Sequence, residues 1–159
     1  MKIIFLDIDG VLATRASIRK AFQARTRVPS RLKQMFAQID CEKSALLRDL
    51  VAATGAEIVM SSAWRTMLSK RNRTLLMKNL ELPDLLDITP FSELGGNRGE
   101  EIKSWLSNFR ASVGEIEAFV ILDDDVFDLT DLMDHVVQTS MEDGLTPELC
   151  GLAKKKLLI

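Results

Sequence analysis

Three short apolar runs dominate what this chain can fold into: Lys2–Leu6 (KIIFL), Glu57–Met60 (EIVM) and Ala118–Leu122 (AFVIL). Each is too short for a core helix, and each carries apolar residues in succession rather than alternately. That is the pattern of a strand buried on both faces. Helical spacing separates the runs. Residues 14–40 read as helical with a break near Val28-Pro29-Ser30, because proline disfavours helix in the residue before it. Ser44–Thr54 places Leu46, Leu47, Leu50 and Val51 at helical intervals, with Gly55 as a C-terminal cap. Trp64–Leu80 reads as one helix with a basic face, and Arg98–Phe109 as a helix with Ile102, Trp105, Leu106 and Phe109 on one side. Val126–Met133 reads as a helical turn or two, and Leu85–Ile88 and Val136–Thr139 as short strands. Thr146-Pro147-Glu148 opens a last helix, which Lys154–Lys156 close.

Strand and helix therefore alternate along the whole chain. The expected fold is α/β: a doubly wound, Rossmann-like parallel sheet with helices on both faces and right-handed crossovers. Residues 1–159 read as a single domain of ordinary globular size, with a short basic helical insert at about 13–43. No apolar run approaches the roughly 20 residues of a membrane span. The run at Ile3–Leu6 is too short for a signal peptide and meets an acid at once. Cys41 and Cys150 are far apart and read as reduced thiols, so the expected setting is cytoplasmic.

In parallel sheets the ligand sits beyond the carboxyl ends of the strands. The first run ends in Asp7-Ile8-Asp9-Gly10-Val11, the second in Ser61-Ser62 and the third in Asp123-Asp124-Asp125. Arg98 opens the helix between the second and third. These are parts suited to phosphoryl transfer. A carboxylate can attack phosphorus and become an aspartyl-phosphate. Carboxylates converging from two strand ends repel unless a cation joins them, and oxygen-only ligands suit magnesium. A serine hydroxyl donates to a phosphoryl oxygen, a guanidinium balances its charge, and a second carboxylate serves as general acid and base. Among the neighbours, Gly10, Ser62 and Arg65 are candidates for substrate binding.

In order and spacing these residues resemble the haloacid dehalogenase (HAD) superfamily. Its first motif corresponds to Phe5-Leu6-Asp7-Ile8-Asp9-Gly10-Val11, its second to Ile58-Val59-Met60-Ser61, its third to Arg98, and its fourth to Val120-Ile121-Leu122-Asp123-Asp124. The family more often has lysine at the third motif. Ser61-Ser62-Ala63-Trp64-Arg65, Arg98-Gly99 with Trp105-Leu106, and Gly144-Leu145-Thr146 are similar to the small HAD domains of RNA-repair proteins. The resemblance implies Asp7 as nucleophile and metal ligand, and Asp9 as acid/base with its backbone carbonyl on the metal. It implies Ser61 and Arg98 as phosphoryl ligands, and Asp123 and Asp124 as further magnesium ligands. Many members carry a separate cap domain, but residues 12–43 leave room for only a few helical turns and 66–97 for little beyond a helix and a strand, so little or no cap is expected.

Each residue has a plainer reading beside this one. Either Ser61 or Ser62 holds phosphate, and the other caps a helix. Arg98 alternatively pairs with Glu100 or Glu101 at the surface, and Asp125 and Asp128 alternatively face water. His135, Trp64 and Trp105 read as structural. Charge patterning bears on the substrate. The net charge is only −2, yet residues 10–39 and 58–80 contain no acid. They carry Arg15, Arg19, Lys20, Arg25, Arg27, Arg31 and Lys33, then Arg65, Lys70, Arg71, Arg73 and Lys78. Both stretches follow strands whose ends form the site, so both are expected to rim it and to draw in a polyanion such as a nucleic-acid end or nucleotide. The alternatives are a phosphatase of small metabolites, a phospho-aspartate receiver and a non-catalytic binding module.

Overall fold

A computed structural model describes residues 1–24, 30–91, 96–112 and 114–158. The strand β1 (Lys2–Leu6) runs through the middle of a five-stranded sheet. Strands β2 (Glu57–Met60) and β4 (Ala118–Asp123) flank it, and β3 (Asp87–Ile88) and β5 (Val136–Gln138) form the edges. The order is β3-β2-β1-β4-β5, and every pairing is parallel. This is a Rossmann-like sheet, and its three central strands are the three apolar runs. Ile3, Ile4, Phe5 and Leu6 are fully buried, as a strand covered on both faces requires.

Alternate residues of these strands serve two separate cores. Ile4, Leu6, Ile58, Met60, Val120 and Leu122 face one side. There α3 (Cys41–Thr54), α5 (Lys70–Asn79) and α7 (Pro147–Leu157) cover them with Leu47, Leu50, Leu76, Met77, Ala153 and Leu157. Ile3, Phe5, Val59, Phe119 and Ile121 face the other side, beneath Ile102, Trp105 and Leu106 of α6 (Arg98–Ser112). Phe5 meets Trp105 and Phe119 edge-on, with ring centroids 5.3 and 5.8 Å apart. His135 is structural: its ring stacks on Phe119 and bonds the Phe119 carbonyl.

Between β1 and β2 the described residues form α1 (Arg15–Gln23), α2 (Arg31–Phe36) and α3. Thr14 caps α1, Ser30 caps α2 and Asp40 caps α3, and Gly55 closes α3 in the left-handed conformation. Of the expected break, Val28 and Pro29 lie outside the described residues. Among the described residues there is no cap domain over the sheet.

Two elements differ from the expectation. The helix expected over Trp64–Leu80 is two, α4 (Trp64–Met67) and α5. Leu68 is extended and Ser69 begins a new helix by accepting from the Asn72 amide. The guanidinium of Arg73 donates to the carbonyls of Arg65 and Leu68, which satisfies acceptors that the break leaves open. The helical turns expected at Val126–Met133 lie later, as a 3-10 helix over Thr130–His135.

Candidate active site

Strand register builds the site. Leu6 pairs with Met60 on one side and Leu122 on the other, so the next residues, Asp7, Ser61 and Asp123, fall in one row. The ladder continues past the strands, with the Ser61 amide donating to Leu6 and the Asp7 amide to Leu122. By alternation these three residues share the face of Phe5, Val59 and Ile121, the face that α6 covers. Arg98, the first residue of α6, therefore arrives above the row. Its Nη1 lies 3.4 Å from Asp7 Oδ2 and donates to Asp123 Oδ2 as well. The surface pairing with Glu100 or Glu101 is not what Arg98 makes. Gly99, next in α6, has its Cα where an added Cβ would fall 2.2 Å from the Asp128 carbonyl, so only glycine lets the helix seat this closely.

The loop after β1 explains the spacing of the two acids. The Asp7 Oδ1 accepts from the Ile8 amide at 2.8 Å. The amides of Val11, Leu12 and Ala13 all donate to the Ile8 carbonyl, which folds the chain back within one turn. Gly10 has φ of +76°, and a Cβ there would lie 2.3 Å from Asp124 Cγ. Gly10 thus serves the site by admitting the Asp124 carboxylate, and both its conformation and its lack of a side chain are needed. Asp9 has a different partner. Its Oδ2 accepts from the indole Nε1–H of Trp64 at 3.2 Å. Trp64 is core, as the sequence suggests, but its polar edge also orients Asp9, a role that apolar patterning cannot reveal.

Charge follows from this crowding. Burial and the neighbouring Asp7 push the Asp123 carboxyl up to about 7. Burial and Asp7 raise Asp9 too, against a lowering by the Trp64 hydrogen bond, and the same two causes raise Asp124. For Arg98, burial disfavours the charge, but Asp7 and Asp123 more than offset it and the pKa is raised. One carboxylate oxygen each from Asp7, Asp123 and Asp124 lies within 4.8 Å of the others. Three oxygen donors of like charge at that spacing fit a hard divalent cation. The Asp9 carboxylate is not in this cluster. Asp125 caps a turn by accepting from the Phe127 amide, and Asp128 contributes its backbone carbonyl to the packing against Gly99.

The two serines differ. Ser62 Oγ accepts from the Trp64 amide at 3.3 Å and so serves the start of α4. Ser61 Oγ is buried and has no partner among the described residues. Thr89, level with Ser61 at the end of β3, also holds a buried unpartnered hydroxyl, as does Thr139 after β5. Unpaired buried hydroxyls are costly, which marks Ser61 as the serine available to a ligand oxygen. No sequence signal singled out the two threonines.

Arg65 is placed otherwise than expected. Its side chain is 4% exposed, and its five N–H donors are all used. They go to the carbonyls of Ser61, Ser62, Thr89 and Pro90 and to Glu101 Oε2 at 2.7 Å. Arg65 holds the loops after β2 and β3 to α6 and has no donor left for a substrate. The second basic stretch shares this fate in part, since Arg73 is tied to the α4 terminus. Lys70 and Arg73 line a separate cavity of about 410 Å³ with Asp84 and Asp87.

Residues 3–150 match the model of the HAD domain in Swiss Army Knife RNA repair proteins. No curated protein and no solved structure matches the chain. No helix among the described residues is long and apolar enough to cross a membrane.

The placement of Arg65 has a measurable consequence. Arg65→Ala removes the buried ion pair with Glu101 and frees four carbonyls, a loss of about 3–5 kcal/mol. Denaturant unfolding is expected to show this loss, and Arg65→Lys to recover only part of it because a point charge cannot reproduce the planar fork. An Arg65→Ala protein of unchanged stability with only a raised KM would return Arg65 to substrate binding.

Proposed function

The chain belongs to the HAD domains of Swiss Army Knife RNA repair proteins, and on that footing we propose that it is a magnesium-dependent phosphomonoester hydrolase acting through an aspartyl-phosphate on Asp7. The family itself points to phosphatase-type chemistry in the setting of RNA repair. The observation that carries the finer reading is the row of Asp7, Ser61 and Asp123 with Arg98 lying across it. A nucleophile, a free hydroxyl, a metal-binding acid and a cation converge there on one small volume.

The reaction divides between the two acids of the first loop. An Asp7 oxygen attacks phosphorus in line, and the bond from phosphorus to the ester oxygen breaks. Asp9 gives its proton to that departing oxygen. Burial and the neighbouring Asp7 raise its pKa, the direction that favours a proton donor. Asp9 then takes a proton from water, whose oxygen attacks phosphorus and releases Asp7. Ser61 donates to a phosphoryl oxygen, and Arg98 balances charge on the phosphoryl group while holding Asp7. Asp7, Asp123 and Asp124 would hold magnesium, which when bound neutralises charge on the phosphoryl oxygens. The substrate we favour is a phosphorylated nucleic-acid end or nucleotide. The family description and the carboxyl edge of the sheet, which has no cap domain among the described residues, support it.

Asp7→Asn is expected to lower magnesium-dependent phosphate release from p-nitrophenyl phosphate by about 10⁴-fold or more while the thermal midpoint stays near that of the parent. A binding module without chemistry would release no phosphate in either form. Substantial turnover by the variant would remove Asp7 from its role. A panel of 3′- and 5′-phosphorylated oligonucleotides, mononucleotides and sugar phosphates then ranks the substrates.

Protons and magnesium compete for the same oxygens. In the folded, metal-free chain Asp123 holds its proton up to about pH 7, whereas in the unfolded chain it releases it near its ordinary 3.8. Asp123 thus binds more proton in the folded state in this window, and its contribution to stability without metal falls as pH rises from about 4 to about 7. Magnesium is therefore expected to raise the thermal midpoint more at about pH 8 than at about pH 5.5. A pH-independent shift would place the ion elsewhere.

A further inference from the structure

Asp9 stands at the edge of a groove of about 350 Å³ that the catalytic row does not use. Trp64, bonded to Asp9, forms part of its floor. Phe22 of α1 and Met67 of α4 line it, each 52% exposed although apolar. From α2 and just beyond come Arg31, Gln34 and Gln38. The guanidinium of Arg31 and the side-chain amides of Gln34 and Gln38 make no hydrogen bond or ion pair with the described residues, and Asp9 is the one acid among the described lining residues.

We propose that this groove binds the base-bearing nucleoside that leaves with the ester oxygen, as the terminal nucleotide of a phosphorylated oligonucleotide. The proposal rests on the hydrolase reading and adds the residues that select the substrate. Its first support is position. In an in-line displacement the leaving oxygen departs opposite Asp7 and collects its proton from Asp9. The group it carries must then lie on the Asp9 side, where the groove is.

The second support is chemistry. A flat heterocycle covers the exposed Phe22 ring and the Met67 thioether, and aromatic rings stack on bases of any sequence. Base edges present donors and acceptors, which the side-chain amides of Gln34 and Gln38 match in both senses. Arg31 is placed for the next phosphate of a chain. A sugar phosphate would leave the apolar walls wet and the amides without a planar partner. The third support is size. A volume near the lower end for small-ligand sites suits one nucleotide unit rather than a broad duplex surface.

The test compares phosphate release from an oligonucleotide end bearing a base with the same end made abasic, in 3′-phospho and 5′-phospho forms. The parent protein is expected to prefer the base-bearing end. The two forms show which ester the groove accepts. Phe22→Ala should lower the ratio of kcat/KM, base-bearing over abasic, by about 10-fold or more. Leu152→Ala, a half-exposed apolar residue on α7, should leave that ratio where it was. Arg31→Ala should reduce the preference for an oligonucleotide over a mononucleotide and flatten its salt dependence. Turnover of both ends without a base preference, or an equal loss on both in Phe22→Ala, overturns this proposal alone. Failure to release phosphate from any ester overturns the hydrolase reading and the proposal together.

Discussion

Two carboxylates forced side by side are the constraint on which the site depends. Parallel register sets Asp7 level with Asp123 on adjacent strands, and both are buried. Water cannot screen them there, so something positive must join them. Arg98 does so from the first residue of α6. That requirement fixes where α6 begins, how near it comes to the sheet and why glycine follows the arginine. A second buried pair, Arg65 with Glu101, ties the same helix to the loops after β2 and β3. Buried ion pairs add little net stability over apolar packing, but breaking one is costly, so such pairs select one geometry rather than strengthen the fold.

The same constraint prepares the site for chemistry. Arg98 offsets part of the negative charge of three converging acids, and the remainder favours a cation. Asp9 sits only two residues from Asp7, yet the turn at Gly10 and the indole of Trp64 give it a separate environment. One acid faces Arg98 and the other faces a partly apolar groove. Two carboxylates of one loop thereby have different surroundings, which is how acid and nucleophile roles are separated in general, and the proposed mechanism rests on that difference.

Much of the fold was legible because β1, β2 and β4 are buried on both faces and leave a continuous apolar signature. The placement of the acids followed, since a strand end is where such a run stops. What was not legible depends on contacts distant in sequence. The break between α4 and α5 rests on Arg73 reaching back to carbonyls of Arg65 and Leu68. Arg65 directly follows a site loop and reads as a phosphate ligand. The carbonyls of Thr89 and Pro90 and the carboxylate of Glu101, all distant in sequence, help to turn it inward. The choice between Ser61 and Ser62 needed the Trp64 amide, and the free hydroxyls of Thr89 and Thr139 have no sequence signature at all. Charge runs report how many cations a segment holds, not which of them the fold consumes: Arg65 and Arg73 are tied inward, whereas Arg31 lines the groove beside Asp9.

The central claim is that Asp7 itself carries the phosphoryl group during turnover. The most direct measurement is to quench a turning-over sample in acid, digest it and map the phosphorylated residue by mass spectrometry. The account predicts the phosphoryl group on Asp7, absent in Asp7→Asn and absent without substrate. A phosphoryl group on another residue would contradict it, as would full activity accompanied by inversion of configuration at phosphorus.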